Sequence, residues 1–165
     1  MNIRKLTPED WDIYKMIRLE ALQKDASAFG SSYDESAGRT DEEWKKKLER
    51  PNSFVFAAED GGEYVGMAAA YQEEGEIVSH VAYVWGVYVR DSFRGKGIGK
   101  KLLQAVLDEL QRNPEIEKAN LNVNKNQIAA VKLYKSLSFQ IAGTLHKELK
   151  VNGEYFDEYV MEKIF

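Results

Sequence analysis

The run from His80 to Val89 places Val81, Val84, Trp85, Val87, Tyr88 and Val89 on both parities of an extended chain. A strand that is apolar on both faces has to be buried on both, so this segment demands the centre of a sheet with a covering layer on either side. Within a few residues the text becomes Arg94-Gly95-Lys96-Gly97-Ile98-Gly99. From there Ile98, Leu102, Val106 and Leu110 recur at i, i+4, i+8 and i+12, with Leu103 and Leu107 beside them. That is a helix with one broad apolar face, closed by Asn113-Pro114. A buried strand, a glycine-rich turn and an amphipathic helix in succession restrict the chain to a layered mixed α/β architecture.

The remaining segments fill in that architecture. Thr7-Pro8-Glu9-Asp10 supplies a hydroxyl cap, a proline at the first helical position and an acid three residues after the cap, and Trp11, Tyr14, Ile17, Leu19 and Leu22 follow at helical spacing. Asp25 to Arg39 reads as a loop or irregular helix. Thr40-Asp41-Glu42-Glu43 repeats the capping logic ahead of Trp44 and Leu48. Phe54–Ala58 and Tyr64–Tyr71 flank a tight glycine turn as a hairpin. Strands around Ile116–Val123, Phe139–Leu145 and Tyr155–Ile164 and a helix over Gln127–Leu137 complete the reading. The sum is a twisted, mostly antiparallel sheet of six or seven strands with about four helices. At ~150 residues per domain, 165 residues make one domain, 1–165.

Lys and Arg number 23 against 27 Asp and Glu, a net charge of -4, which disfavours nucleic acid as a partner. Cysteine is absent, which removes disulfides, thiolate metal sites and a Cys nucleophile; no metal site is anticipated. No apolar run approaches the ~20 residues that cross a bilayer, and the amino terminus lacks a signal-peptide core, so the reading is a cytoplasmic protein without membrane contact.

The glycines at 95, 97 and 99 carry the chemistry. Without Cβ atoms they let successive backbone N–H groups converge on one point, and the helix they open adds the positive end of its dipole. Arg94, Lys96, Lys100 and Lys101 add charge beside it. This describes a cradle for a phosphate or pyrophosphate. The spacing fits neither G-x-G-x-x-G nor G-x-x-x-x-G-K-[ST], which disfavours a dinucleotide or a nucleoside triphosphate. A plain strand-to-helix turn is the competing reading of the same glycines.

Arg94-Gly95-Lys96-Gly97-Ile98-Gly99, with Val87-Tyr88-Val89 before it, resembles the acetyl-CoA signature [RQ]-x-x-G-x-[GA] of the GCN5-related N-acetyltransferase (GNAT) family. The later stretch from Gln127 through Ala130, Leu133 and Tyr134 to Phe139 is similar to that family's N-x-x-A-x-x-L-Y-x-x-x-G-F. It departs by placing Asn126-Gln127 where the family has Asn, and Ser138 where it has Gly. The resemblance implies a fold whose central strands splay to admit acetyl-CoA, held by backbone groups of Val87, Tyr88 and Val89, by Arg94, Gly95, Lys96, Gly97, Ile98, Gly99 and Lys100, and by Asn126 or Gln127. It implies direct attack of a primary amine, of a small molecule or a peptide, on the thioester in a ternary complex. Tyr134 is then the acid that protonates the departing thiolate, and a base is sought among His80, Tyr83 and Glu35. The acceptor site falls on the loop bearing Phe29, Ser31, Ser32 and Glu35, together with Tyr83. Two rivals stand beside this reading: an acyl-CoA-binding module without turnover, and an acyltransferase using a longer acyl group. Families with this fold commonly form homodimers, and the apolar strand Tyr159-Val160-Met161 is either an edge open to pairing or internal to the sheet.

Overall fold

In the computed structural model, which describes residues 1–165, one sheet of seven strands organises the chain. The strands are β1 (Asn2–Lys5), β2 (Ser53–Asp60), β3 (Glu63–Gln72), β4 (Val81–Val89), β5 (Lys118–Asn124), β6 (Gln140–Val151) and β7 (Glu154–Ile164). Their spatial order is β1-β2-β3-β4-β5-β7-β6, and every neighbouring pair is antiparallel except β4 with β5. The helices are α1 (Trp11–Lys24), α2 (Tyr33–Ala37), α3 (Asp41–Leu48), α4 (Ile98–Gln111) and α5 (Ile128–Ser136). The short α2 lies in the stretch read from sequence as loop or irregular helix, which brings the helices to five.

The helix starts follow the capping chemistry of the sequence. The Thr40 N–H donates to Glu43 at 2.7 Å while the Glu43 N–H donates to the Thr40 hydroxyl at 3.3 Å, closing a capping box at α3. Ahead of α1, a 3-10 turn over Pro8–Asp10 is tied by the Thr7 N–H donating to Asp10 at 2.8 Å. Asp10 also accepts two hydrogen bonds from Arg4, at 2.7 and 2.9 Å, so the edge strand β1 and the start of α1 are fastened together.

The sheet is buried on both faces. On the face covered by α4 and α5 the core includes Val65, Ala82, Val84, Leu102, Leu121, Phe139 and Met161, and on the face covered by α1 and α3 it includes Tyr14, Ile17, Trp44, Val55, Met67 and Ala69. The doubly apolar β4 is therefore central, as its composition demands. The structure adds one strand to the sequence reading and decides one alternative that it leaves open. β1 was not foreseen, because four residues carrying Arg4 and Lys5 leave almost no apolar period. The Tyr159–Met161 segment is not a free edge: β7 pairs with β5 on one side and β6 on the other, so its backbone groups are consumed within the sheet.

The feature that positions the site is the way β4 leaves β5. The two pair only at Val81–Tyr83 with Lys118–Asn120, and then diverge. On its other side β4 carries an extra residue: Tyr88 opposes Met67 and Trp85 opposes Ala69, so Gly86 and Val87 together face Ala68. Gly86 has φ +66. A bulge of this kind bends its strand and raises the local twist, which accounts for the separation of β4 from β5 at this level.

Candidate functional site

The opened gap holds a cavity of about 930 Å³ that reaches both faces of the sheet. Its walls include Tyr83 to Val89 of β4, Asn122 and Val123 of β5, the glycine turn and first residues of α4, α5 from Ile128 to Tyr134, the loop residues Phe29 to Ser31, Arg18 of α1, and Glu148, Leu149 and Glu158 of the β6–β7 hairpin.

On the α4 side the glycine turn leaves a row of backbone donors without partners. No backbone acceptor takes the N–H groups from Gly95 to Lys100; the ladder of α4 resumes only where the Lys101 N–H donates to Gly97. Gly95 and Gly97 both have φ +77, and a Cβ added at either would meet no atom within 4 Å. These residues present bare backbone to open space, and α4, with 14 residues, directs its positive end at the same point. Gly99 has a different reason to be small, since an added Cβ would lie 3.3 Å from Leu133 and 3.6 Å from Val89. Such a set of donors fits the pyrophosphate of coenzyme A.

The charged neighbours divide unevenly. Lys100 lines the cavity, whereas the Lys96 ammonium sits 4.6 Å from the Phe93 ring centre, outside it. Arg94 reaches the cavity wall, but its guanidinium is engaged by Asp25 and Asp91 and its Nε donates to the Val89 carbonyl at 2.8 Å. Arg94 thus braces the turn against β4. Gln127 caps α5 and faces the cavity, while the exposed Asn126 does not; its N–H donates to the Asn124 side chain at 2.9 Å. Tyr88 belongs to the wall through its backbone, because its hydroxyl turns to α1 and donates to Glu20 at 2.9 Å.

Tyr134 lies in the wall, 7% exposed, edge-on to Phe139, and its hydroxyl makes no hydrogen bond within the protein. Burial, with a smaller contribution from nearby Tyr83, holds its phenol in the protonated form well above the ordinary range. Tyr83 is pushed up to about 12, mainly by burial and then by Glu158. It stacks on Tyr71 with ring centres 5.7 Å apart.

Of the other sequence candidates, Phe29 and Ser31 line the cavity, but Ser32, Glu35 and His80 do not. The Ser32 hydroxyl is used as the cap of α2, accepting from the Glu35 N–H at 3.1 Å, and the Glu35 side chain is exposed. His80 is exposed and precedes β4 at its paired end, where its carbonyl accepts from Glu117 and Lys118, opposite to the splay. Besides Asp25, which is paired with Arg94, the carboxylates that face the gap are Glu158 and Glu148. Glu158 is 6% exposed, and burial raises its pKa, with Glu148 adding to the shift and Asn122 opposing it. A polar residue in the middle of the strand Tyr155–Ile164 was the signal available for Glu158. Glu148 follows an irregularity in β6 between Leu145 and Leu149, where Lys147 has φ 54, and no sequence period reveals such a turn.

Comparison with known proteins adds three findings. A family model described as the acetyltransferase (GNAT) family matches residues 14–139. The chain is 28% identical over 126 residues to an L-amino acid N-acetyltransferase of Escherichia coli, covering 76% of this chain and 77% of the other. Its fold is similar to that of a GNAT-family acetyltransferase from Streptococcus pneumoniae, with TM-score 0.87, 22% identity and 99% of each chain covered. It is likewise similar to that of an acetyltransferase from Salmonella typhimurium determined with acetyl-CoA, with TM-score 0.80, 22% identity and 99% and 93% covered.

Proposed function

The chain belongs to the acetyltransferase (GNAT) family, and from that premise we propose which of its residues carry out acetyl transfer. It is an acetyl-CoA-dependent N-acetyltransferase; bound acetyl-CoA supplies an acetyl group activated as a thioester. The observation that carries the assignment of roles is the row of unpartnered N–H groups from Gly95 to Lys100, opening onto the cavity at the splay of β4 and β5.

In this reading the N–H groups of the turn and Lys100 bind the pyrophosphate, Gln127 lies beside them, and the backbone of Val87 and Val89, free of β5, receives the pantetheine arm as a strand would be received. A backbone N–H of β4 polarises the thioester oxygen, which needs no covalent contribution from the protein. The acceptor is the primary amine of a small molecule or peptide and arrives as an ammonium, pKa about 10.4 for an alkyl amine. Glu158 takes the proton. Its raised pKa makes it a stronger base than an exposed carboxylate, and Tyr83 stands beside it. The amine nitrogen attacks the carbonyl carbon, the carbon–sulfur bond breaks as Tyr134 gives its proton to the departing sulfur, and the second proton that the nitrogen sheds on becoming an amide returns to the Tyr134 phenolate. A thiol pKa near 8.5 lies below that of the buried phenol, so position rather than acidity must make this transfer effective. Residues 1–165 act together as one catalytic domain. A cytoplasmic location is part of the same proposal, supported by the requirement for acetyl-CoA; no helix is long and apolar enough to cross a membrane.

Isothermal titration with acetyl-CoA, CoA, ATP and NAD tests the reading. Saturable binding of acetyl-CoA and CoA alone is the expected outcome, and failure to bind either one refutes it.

A further inference from the structure

The reading above leaves a buried cation in the cavity wall unused. Arg18 of α1 is 7% exposed and makes neither an ion pair nor a hydrogen bond; its Nη1 is enclosed without any partner. An arginine buried to this degree ordinarily has a carboxylate beside it, since an unpaired charge in the interior is costly. Here aromatic rings take that place: the guanidinium lies 4.7 Å from the ring centre of Phe29 and 5.4 Å from that of Trp85, and both rings line the cavity. The Trp85 indole N–H is also enclosed and unpartnered. Two buried donors, one of them charged, therefore adjoin each other with nothing to accept from them.

The position of this pair relative to the chemistry matters. Arg18 abuts the bulge of β4, so that a Cβ placed on Gly86 would be 3.9 Å from its Nη1, and Val87 is the next residue. Farther along the same strand, beyond Trp85, is Tyr83, and the two carboxylates Glu148 and Glu158 of the β6–β7 hairpin line the cavity as well. The cavity thus has a cation without an anion at one wall and carboxylates without a cation at another. A polyamine would satisfy the second wall and be repelled by the first. A molecule with both an ammonium and a carboxylate satisfies both.

Resting on the functional reading above, we propose that the acceptor is a free α-amino acid whose carboxylate is held by Arg18 and the Trp85 N–H while its amine is turned toward Glu158. The carboxylate completes the hydrogen bonding of the enclosed donors, and the pair fixes which end of the substrate faces the thioester. Phe29, on the loop between the 3-10 turn Ala26–Ala28 and α2, is the side of the enclosure that gives way to the ligand. The acidic surface runs at Asp34, Glu35 and Glu73-Glu74-Gly75-Glu76 contribute no residue to the cavity wall.

The experiment compares CoA thiol release with L-methionine, L-leucine and L-phenylalanine, with the amide of each, with a short peptide and with spermidine, all corrected for the fraction of free amine. A hydrogen bond to a charged group is worth tenfold to about a hundredfold in this kind of discrimination. The expected result is that kcat/KM for the best free amino acid exceeds that for its amide by at least about tenfold, with peptide and spermidine poorer still. In Arg18→Met the ratio of acid to amide collapses toward one, and Arg18→Lys, which keeps the charge but not the fork, retains part of it. Equal use of amide, peptide or spermidine by the unaltered protein overturns the inference and leaves the acetyl-CoA site intact. Failure of the same preparation to bind acetyl-CoA overturns instead the reading on which it rests. Should Arg18→Met not fold, the substrate series with the unaltered protein decides by itself.

Discussion

Replacing Gly97 with valine separates the anion cradle from a simple tight turn. A Cβ at this position meets nothing within 4 Å, so the fold loses no packing by accepting it. The backbone, at φ +77, costs an L-residue roughly 1–2 kcal/mol. For a domain of this size that lowers Tm by about 2–8 °C, a clear shift but not a collapse. Binding suffers far more, because the new side chain stands in the space into which the N–H groups from Gly95 to Lys100 point. A hydrogen bond to a charged partner contributes about 1.5–3 kcal/mol, so losing one weakens acetyl-CoA binding about 10- to 150-fold and losing two about 150- to 20,000-fold. The assay is calorimetric titration with acetyl-CoA alongside thermal melts with and without it. At a concentration near one hundred times the Kd, the unaltered protein gains about 2.7 kcal/mol from the ligand, and the variant at the same concentration gains little or none. Binding within threefold of the unaltered protein would show that the glycines only make the turn. A fall of more than about 15 °C in the unliganded melt would show that the space is not open as described.

The remaining expectations concern the reaction and the frame that carries it. Tyr134→Phe keeps acetyl-CoA binding within about threefold and lowers single-turnover rate on the order of 100-fold, the usual contribution of a positioned acid; an unchanged rate removes Tyr134 from the mechanism. For Glu158→Gln, activity at neutral pH falls by a similar factor, and the limb of kcat/KM that rises with pH above the ordinary carboxylate range flattens. His80→Ala, at the far end of β4, leaves the same profile unchanged to within about twofold, and a large loss would return the base to His80. Asp10 is held well below its ordinary pKa of 3.8 chiefly by hydrogen bonding to Arg4, so the unfolded chain binds its proton more readily than the folded one. Its stabilising contribution is present above the unfolded value and is lost as pH falls below it. The Tm deficit of Asp10→Asn, measured by melts from pH 7 downward, therefore shrinks below about pH 4, and a deficit independent of pH refutes the linkage.

What the sequence displayed was whatever a single element needs for itself. The two-sided apolar pattern of Val81–Val89 identified the central strand, Thr40 and Glu43 announced a helix, and the glycines at 95, 97 and 99 announced bare backbone at the start of α4. Properties that arise only between elements were hidden. Arg18 reads as a solvated residue on the polar side of α1, yet β4 packs Trp85 against it and α2's approach loop brings Phe29. Glu158 is one of several charged residues in β7, so the strand's own pattern does not single it out, and its meaning depends on the gap that β7 faces across β5. Conversely, Glu35 and His80 are candidates by chemical type alone, and the fold carries both to the surface because neither α2 nor the turn before β4 reaches the splay.

One extra residue in β4 links these features. Before the bulge, Ala82 and Val84 pack beneath α4 and α5 while Trp85 packs toward α1; after it, Val87 and Val89 take the α4 side and Tyr88 the α1 side. Without the insertion the alternation would carry Tyr88 to the α4 face and withdraw its hydroxyl from Glu20. With it, the strand bends away from β5, the backbone of Val87 and Val89 loses its partner on that side, and the bulged Gly86 leaves room for the Arg18 guanidinium. Any side chain at 86 would have to adopt φ +66 and would press on Met67 at 3.0 Å. The same local irregularity therefore opens the slot proposed for the cofactor arm, sets which face each later side chain of β4 presents, and seats the unpaired cation beside that slot. On the proposed reading both substrates lie against this one strand, and that is why the acceptor's charge is read from a residue on α1 that is no part of the glycine cradle.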